Sequence, residues 1–179
     1  SLKYIGVDHG VEILLKQGIK PVFAIGDFDS IENENVLSEL DIERLPTRKD
    51  VTDTHAALEY ALENGYDEVD IYGGRLDHFL SVMCLLEKYA DKKIRIIDQQ
   101  NVIQLLLPGT HKVYQDEYKY FSLYALDDAY IDIDGAEYPL NQYFLQRQDP
   151  LCVSNQVSCE IATITNSKPI VLVKSKDAW

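Results

Sequence analysis

The 179-residue chain reads as two fold types in succession: an N-terminal parallel-sheet α/β domain over 1–107 and a C-terminal antiparallel β-sandwich over 108–179. Three observations predict this. Strand-like and helix-like runs alternate as far as residue 98, as strands joined by helical crossovers do. Beyond Pro108-Gly109 only short alternating runs remain, separated by turn chemistry such as "DG" at 134–135 and "NSKP" at 166–169. A hydrophobic content of 46% supplies enough apolar surface for a core.

In chain order, "KYIGVD" (3–8) is strand-like, and "VEILLKQG" (11–18) is helical and stops on Gly18. "PVFAIGD" (21–27) is the second strand, and "IENENVLSEL" (31–40) the second helix, with Ser30 as its expected N-cap. "IERLPT" (42–47) is a short strand. "TDTHAALEYALENG" (52–65) places Ala57, Leu58, Ala61 and Leu62 on one helical face. "EVDIYGG" (68–74) runs into a glycine turn, "DHFLSVMCLLEKYA" (77–90) is a strongly apolar helix begun by Asp77, and "KIRIID" (93–98) closes the series. The sandwich strands are expected in 119–126, 129–134, 150–155, 157–165 and 169–175. Seven of the twelve tyrosines fall in this second half, which β-propensity explains unless they form a stacking surface for a ring-bearing ligand.

Thirty acidic and 17 basic residues give a net charge of −13, and no basic run interrupts it. Nucleic acid is thereby excluded as the main partner. The three cysteines have no CxxC spacing, so neither a zinc site nor a disulfide framework is implied; Cys84 reads as a core residue. No signal-peptide pattern and no long apolar span occur, which points to the cytoplasm and away from membranes.

In open parallel sheets ligands bind beyond the carboxyl ends of the strands. Asp8 follows the first strand, Asp27 and Asp29 the second, Lys49, Asp50 and Asp53 the third, and Gly73, Gly74, Arg75, Asp77 and His78 the fourth. On an extended segment Asp27 and Asp29 point the same way, with Phe28 on the other face. Two close carboxylates repel unless a cation lies between them. A hard divalent ion meets this need. Magnesium uses one or two protein carboxylates and completes its shell with water and substrate phosphates, and Asp53 is a candidate third ligand. "GGR" before a helix suits phosphate: glycines permit close approach, helix N–H groups face the anion, and Arg75 offers a permanently charged fork. Lys49 is a second candidate cation.

In this order, "GDFDS" (26–30), "KDVTDTHAAL" (49–58) and "GGRLDH" (73–78) resemble the thiamine pyrophosphokinase family, with "SN" at 154–155 as a weaker match. The resemblance spans essentially the whole chain. It implies transfer of a pyrophosphoryl group from ATP to the hydroxyl of thiamine, giving thiamine pyrophosphate and AMP. It implies a homodimer with thiamine near the subunit interface. By motif, Asp27, Asp29 and Asp53 would hold magnesium; Lys49, Asp50 and the Gly73–Gly74–Arg75 turn would meet the phosphates; Asp8 would lie near ATP. Asp77 would lie near the reacting groups or thiamine, and Ser154 and Asn155 would face thiamine. The family usually has an initial strand and glycine-rich turn before the first of these motifs. The chain is read as lacking them, with weakened ATP affinity expected. Trp179, the one tryptophan, is left outside the site. A DxD nucleotide-sugar transferase leaves "KDVTD" and "GGRLDH" unused; a phosphatase with Asp27 as nucleophile and a non-catalytic binding module are the other rivals.

Overall fold

The computed structural model describes residues 2–46, 50–73 and 75–178. Two compact units emerge, Ser1–Tyr66 and Asp67–Trp179.

The first unit contains β1 (Ile5–Val7), α1 (Gly10–Lys16), β2 (Phe23–Gly26), a 3-10 helix (Glu34–Glu39), β3 (Ile42–Arg44) and α2 (Asp53–Glu63). The strands form a parallel sheet in the order β1-β2-β3. β2 is buried throughout, and alternate residues serve opposite faces. Ala24 joins Val11, Phe28 and Leu37 in one cluster. Phe23 and Ile25 join Ala57 in the other, where the Phe23 ring stacks on Tyr60 at 3.8 Å. A strand covered on both faces reads as a continuous apolar run, as "PVFAIG" does.

The second unit begins with β4 (Glu68–Tyr72), α3 (Leu76–Lys88) and β5 (Lys93–Ile97). It continues through β6 (Asn101–Leu106), β7 (Gly109–Tyr114), β8 (Tyr120–Ala125), β9 (Ala129–Asp134), β10 (Leu140–Leu145), β11 (Ile161–Asn166) and β12 (Ile170–Ser175). β4 and β5 are parallel, but β5 returns into β6 as a hairpin, giving a mixed sheet β4-β5-β6-β12-β8. The antiparallel sheet β10-β9-β11-β7 supplies the other layer. Phe121, Leu123, Ile131, Ile133, Leu145 and Ile164 lead the core shared by the two layers. The predicted α/β-then-sandwich class is thus present.

Several expectations differ in detail. The segment 31–40 forms a six-residue 3-10 helix capped by Asn33, whose side chain accepts from Asn35 N–H, in place of an α-helix capped by Ser30. Asn33 is itself fixed by donating to Glu12 Oε1 at 3.0 Å. α3 begins one residue before Asp77, which lies in its first turn as expected, with Arg75 at the N-cap position. Cys84 is exposed, not core. The series expected to close at 98 instead continues into β6 through a tight turn, in which Asp98 accepts from the Gln100 and Asn101 N–H groups. The 150–155 run is turn and bend, with the Phe121–Asn155 bridge to β8 at its end, in place of a strand. β6, β7 and β10 were not expected as separate strands. In β10 a register shift at left-handed Gln142 (φ +48°) breaks the alternation that identifies a strand.

Candidate active site

The acidic loop begins where β2 ends. Gly26 has φ +152°, and a Cβ there would lie 1.9 Å from Asp8 Oδ1, so the backbone leaves the sheet by a path that excludes a side chain. Asp8 is pinned against this turn: its N–H donates to Ile25 O at 3.1 Å, and its Oδ1 accepts from Phe28 N–H at 3.4 Å. Asp8 (φ +46°) and Phe28 (φ +58°) are both left-handed. Such strain costs about 1–3 kcal/mol per residue and concentrates at functional sites. Here it lets Phe28 bury its ring at 2% exposure while Asp27 stays half-buried and Asp29 exposed. The segment is therefore not extended, as the sequence suggested. Asp27 Oδ1 accepts from Asp29 N–H at 3.2 Å and braces the turn.

Arg44, at the end of β3, was missed by sequence reasoning, although a cation at a parallel-strand carboxyl end was a readable signal. It donates to Asp27 O at 3.3 Å, and its guanidinium lies 5.4 Å from the Phe28 ring centroid. Asp53 is the first residue of α2, half-buried, with Thr52 capping the helix by accepting from His55 N–H. Asp50 is exposed in the preceding bend. Lys49 lies outside the described residues, as does Gly74. The donors of Asp27, Asp29 and Asp53 are hard carboxylate oxygens, which suits a hard divalent cation. Among the described residues no three His, Cys, Asp or Glu side chains are gathered so as to hold a metal on their own.

In the second unit, Gly73 meets nothing on its Cβ side and opens to space. Arg75 binds Asp77 as a fork, Nε to Oδ1 at 3.1 Å and Nη2 to Oδ2 at 2.6 Å, with both side chains exposed. This hydrogen bond holds the Asp77 carboxyl below the usual carboxylate range and the Arg75 guanidinium above its own. His78 is exposed.

The 149–155 loop is braced from within the sandwich. Asp149 accepts from the Tyr143 hydroxyl at 2.5 Å and from Leu151 N–H at 2.9 Å. Asn155 is buried; its Oδ1 accepts from Tyr138 N–H and Gln156 N–H, and its Nδ2 donates to Tyr138 O at 2.8 Å. The Asn155 amide is thus spent on the backbone, while it holds Tyr138, whose ring is exposed. The structure brings together Asp8 with the Asp27–Asp29 loop, Arg75 with Asp77, and Asn155 with Tyr138.

Family comparisons match this layout in order. The model described as thiamin pyrophosphokinase, catalytic domain, matches residues 1–97, and that described as thiamin pyrophosphokinase, vitamin B1 binding domain, matches 110–171. The chain belongs to the thiamin pyrophosphokinase family. It is 40% identical over 187 residues to a thiamine pyrophosphokinase of Bacillus subtilis, covering 97% of this chain and 87% of that one. A crystal structure of the Bacillus subtilis enzyme matches with TM-score 0.89 at 37% identity, over 98% of this chain and 88% of the other. A thiamin pyrophosphokinase from Geobacillus thermodenitrificans matches with TM-score 0.88 at 36% identity, over 98% and 87%. Membership makes this chain a thiamine diphosphokinase, a transferase of a pyrophosphoryl group from ATP to thiamine. Kinases of this family generally need a divalent metal. No helix among the described residues is long and apolar enough to cross a membrane.

Proposed function

We propose that the loop after β2 is the metal–nucleotide platform of this reaction and that the sandwich loop at 154–155 receives thiamine. The supporting observation is the strained turn at Gly26–Phe28, which buries an aromatic ring and leaves the flanking carboxylates accessible. Asp27, Asp29 and Asp53 would hold magnesium, which when bound offsets phosphate charge and polarises the transferred group. Because no three of these side chains are pre-gathered, the ion is expected to arrive with ATP and take its remaining ligands from phosphate and water. Asp8 would stand beside ATP, and Lys49, Asp50, Gly73, Gly74 and Arg75 would meet the phosphates.

In the reaction, the thiamine hydroxyl oxygen forms a bond to the β-phosphorus as the bond from that phosphorus to the α,β-bridging oxygen breaks. AMP leaves with the bridging oxygen, and the hydroxyl proton passes to a carboxylate, Asp77 or Asp50. Most of the rate comes from alignment and charge stabilisation. Paired to Arg75, Asp77 is a weak base. Phosphate drawing the Arg75 fork away would remove the hydrogen bond that holds Asp77 low and restore its basicity as ATP binds.

Ser154 would touch thiamine, Asn155 would support it from behind, and the exposed Tyr138 ring offers a stacking face for the cationic heterocycle. The functional boundary is proposed at 107/108, the protein as a cytoplasmic homodimer, and the thiamine site near the subunit interface. Incubation with ATP, thiamine and magnesium tests the reading: AMP and thiamine pyrophosphate should appear in equal amounts. ADP or free phosphate as the nucleotide-derived product would overturn it.

A further inference from the structure

Residues 152–155 pair with β8 in an irregular way. Phe121 and Asn155 exchange both backbone hydrogen bonds, at 2.8 and 2.9 Å. Two residues further along β8, Leu123 N–H reaches Cys152 O at 2.8 Å, where regular pairing would bring it to residue 153. One extra residue is thus inserted on the loop side, which defines a β-bulge. Ser154 lies in it with φ +59°, at a position whose N–H does not join the ladder with β8. That N–H is taken up by a side chain: it donates to Ser122 Oγ at 3.0 Å. Ser122 is 5% exposed and sits between two core residues, Phe121 and Leu123, at 1% and 0%. Alternation turns its hydroxyl to the face of β8 opposite those two side chains, and there this buried polar group is satisfied by accepting the Ser154 N–H.

We infer that Ser122 is a positioning residue for thiamine: its hydroxyl fixes the left-handed bulge at Ser154 and so sets the direction in which Ser154 and the adjoining Asn155–Tyr138 pair face the substrate. The inference rests on the proposed thiamine role of Ser154. Bulges re-aim side chains beside active sites. At Ser154 this one is held by the Ser122 hydroxyl on a neighbouring strand, so its aim depends on a residue remote in sequence. Ser122 does not touch the reacting atoms, and its effect falls on substrate placement, not on the chemistry of the phosphates.

The test uses the full-length enzyme with steady-state kinetics in both substrates and thermal melts for S122A, S122T and S154A. S122A is expected to raise KM for thiamine by roughly tenfold, the value of the part-buried hydrogen bond from the Ser154 N–H that it removes. kcat and KM for ATP should stay near the parent's. S122T keeps the hydroxyl and should return KM for thiamine to the parent value. A loss of kcat and of both KM values in step with a lowered Tm would make Ser122 merely structural and overturn the inference. So would S122T behaving like S122A. If S154A raises KM for thiamine while S122A does not, the positioning role alone falls. If S154A leaves KM for thiamine unchanged, the thiamine role of Ser154 falls, and the inference with it.

Discussion

Replacing Gly26 with alanine challenges the turn on which the metal–nucleotide platform is built. At φ +152° an L-residue is strained, costing about 1–3 kcal/mol. The added Cβ would also lie 1.9 Å from Asp8 Oδ1 and 3.2 Å from Asp8 N. The carboxylate must swing away and give up the Phe28 N–H, a loss of about 0.5–1.5 kcal/mol. The summed destabilisation is about 1.5–4.5 kcal/mol. Urea unfolding followed by far-UV circular dichroism measures it, and AMP release measures the accompanying loss of turnover. The D8A background separates the two causes. With the carboxylate gone the backbone strain and the contact with the Asp8 backbone N remain, so G26A should cost about 1 kcal/mol less there than in the parent. A cost below about 0.5 kcal/mol with full turnover would refute the turn geometry. Equal costs in both backgrounds would refute the contact with Asp8.

D27N and D29N should reduce turnover most at limiting magnesium and leave Tm nearly unchanged, since neither carboxylate is buried; full rate under those conditions would remove them from the metal site. R75A should lower kcat more than it weakens thiamine binding, and equal losses would make Arg75 structural. In R75A the Asp77 carboxyl should titrate at higher pH by carbon-detected NMR. The pair depresses Asp77 in the folded state, so its contribution is present above the ordinary carboxylate pKa and fades as pH falls through the depressed value. A thiol reagent near pH 8 should label Cys84 and Cys159 quickly and Cys152 slowly, because burial and then nearby Asp149 push that thiol up to about 11; three equal rates would contradict the buried placement.

The fold was legible where hydrophobic period and helix punctuation agreed. β2 and α2 are examples: a continuous apolar run, and a helix with Thr52 before it and Gly65 after it. Legibility failed where side-chain hydrogen bonds override propensity. Asn33, tied to Glu12, shortens the second helix to a 3-10 turn. Left-handed Gln142, held by Asp132 through its N–H at 2.8 Å and its Nε2 at 2.9 Å, disguises β10. "PLCVSN" has strand-like composition, but Asp149 and Ser122 hold it as a turn and bulge. The reversal of β5 into β6 was also hidden, because Asp98 organises the turn locally while the flanking apolar runs suit parallel and antiparallel pairing alike.

The positions of the candidate site residues Asp8, Asp27, Asp29 and Arg75 beyond strand ends were legible. Their local geometry was not. Alternation predicted an extended Asp27–Asp29 segment, whereas burial of the Phe28 ring drives a left-handed turn. Nor does sequence reveal that Arg75 closes on Asp77 or that Asn155 is spent on Tyr138, since both depend on which backbone groups a fold leaves within reach.

A crystal structure with magnesium and a non-hydrolysable ATP analogue tests the platform most directly. The account predicts one ion within about 2.0–2.1 Å of carboxylate oxygens drawn from Asp27, Asp29 and Asp53 and of phosphate oxygens of the analogue. An ion held by phosphates alone, or by carboxylates elsewhere in the chain, would contradict it.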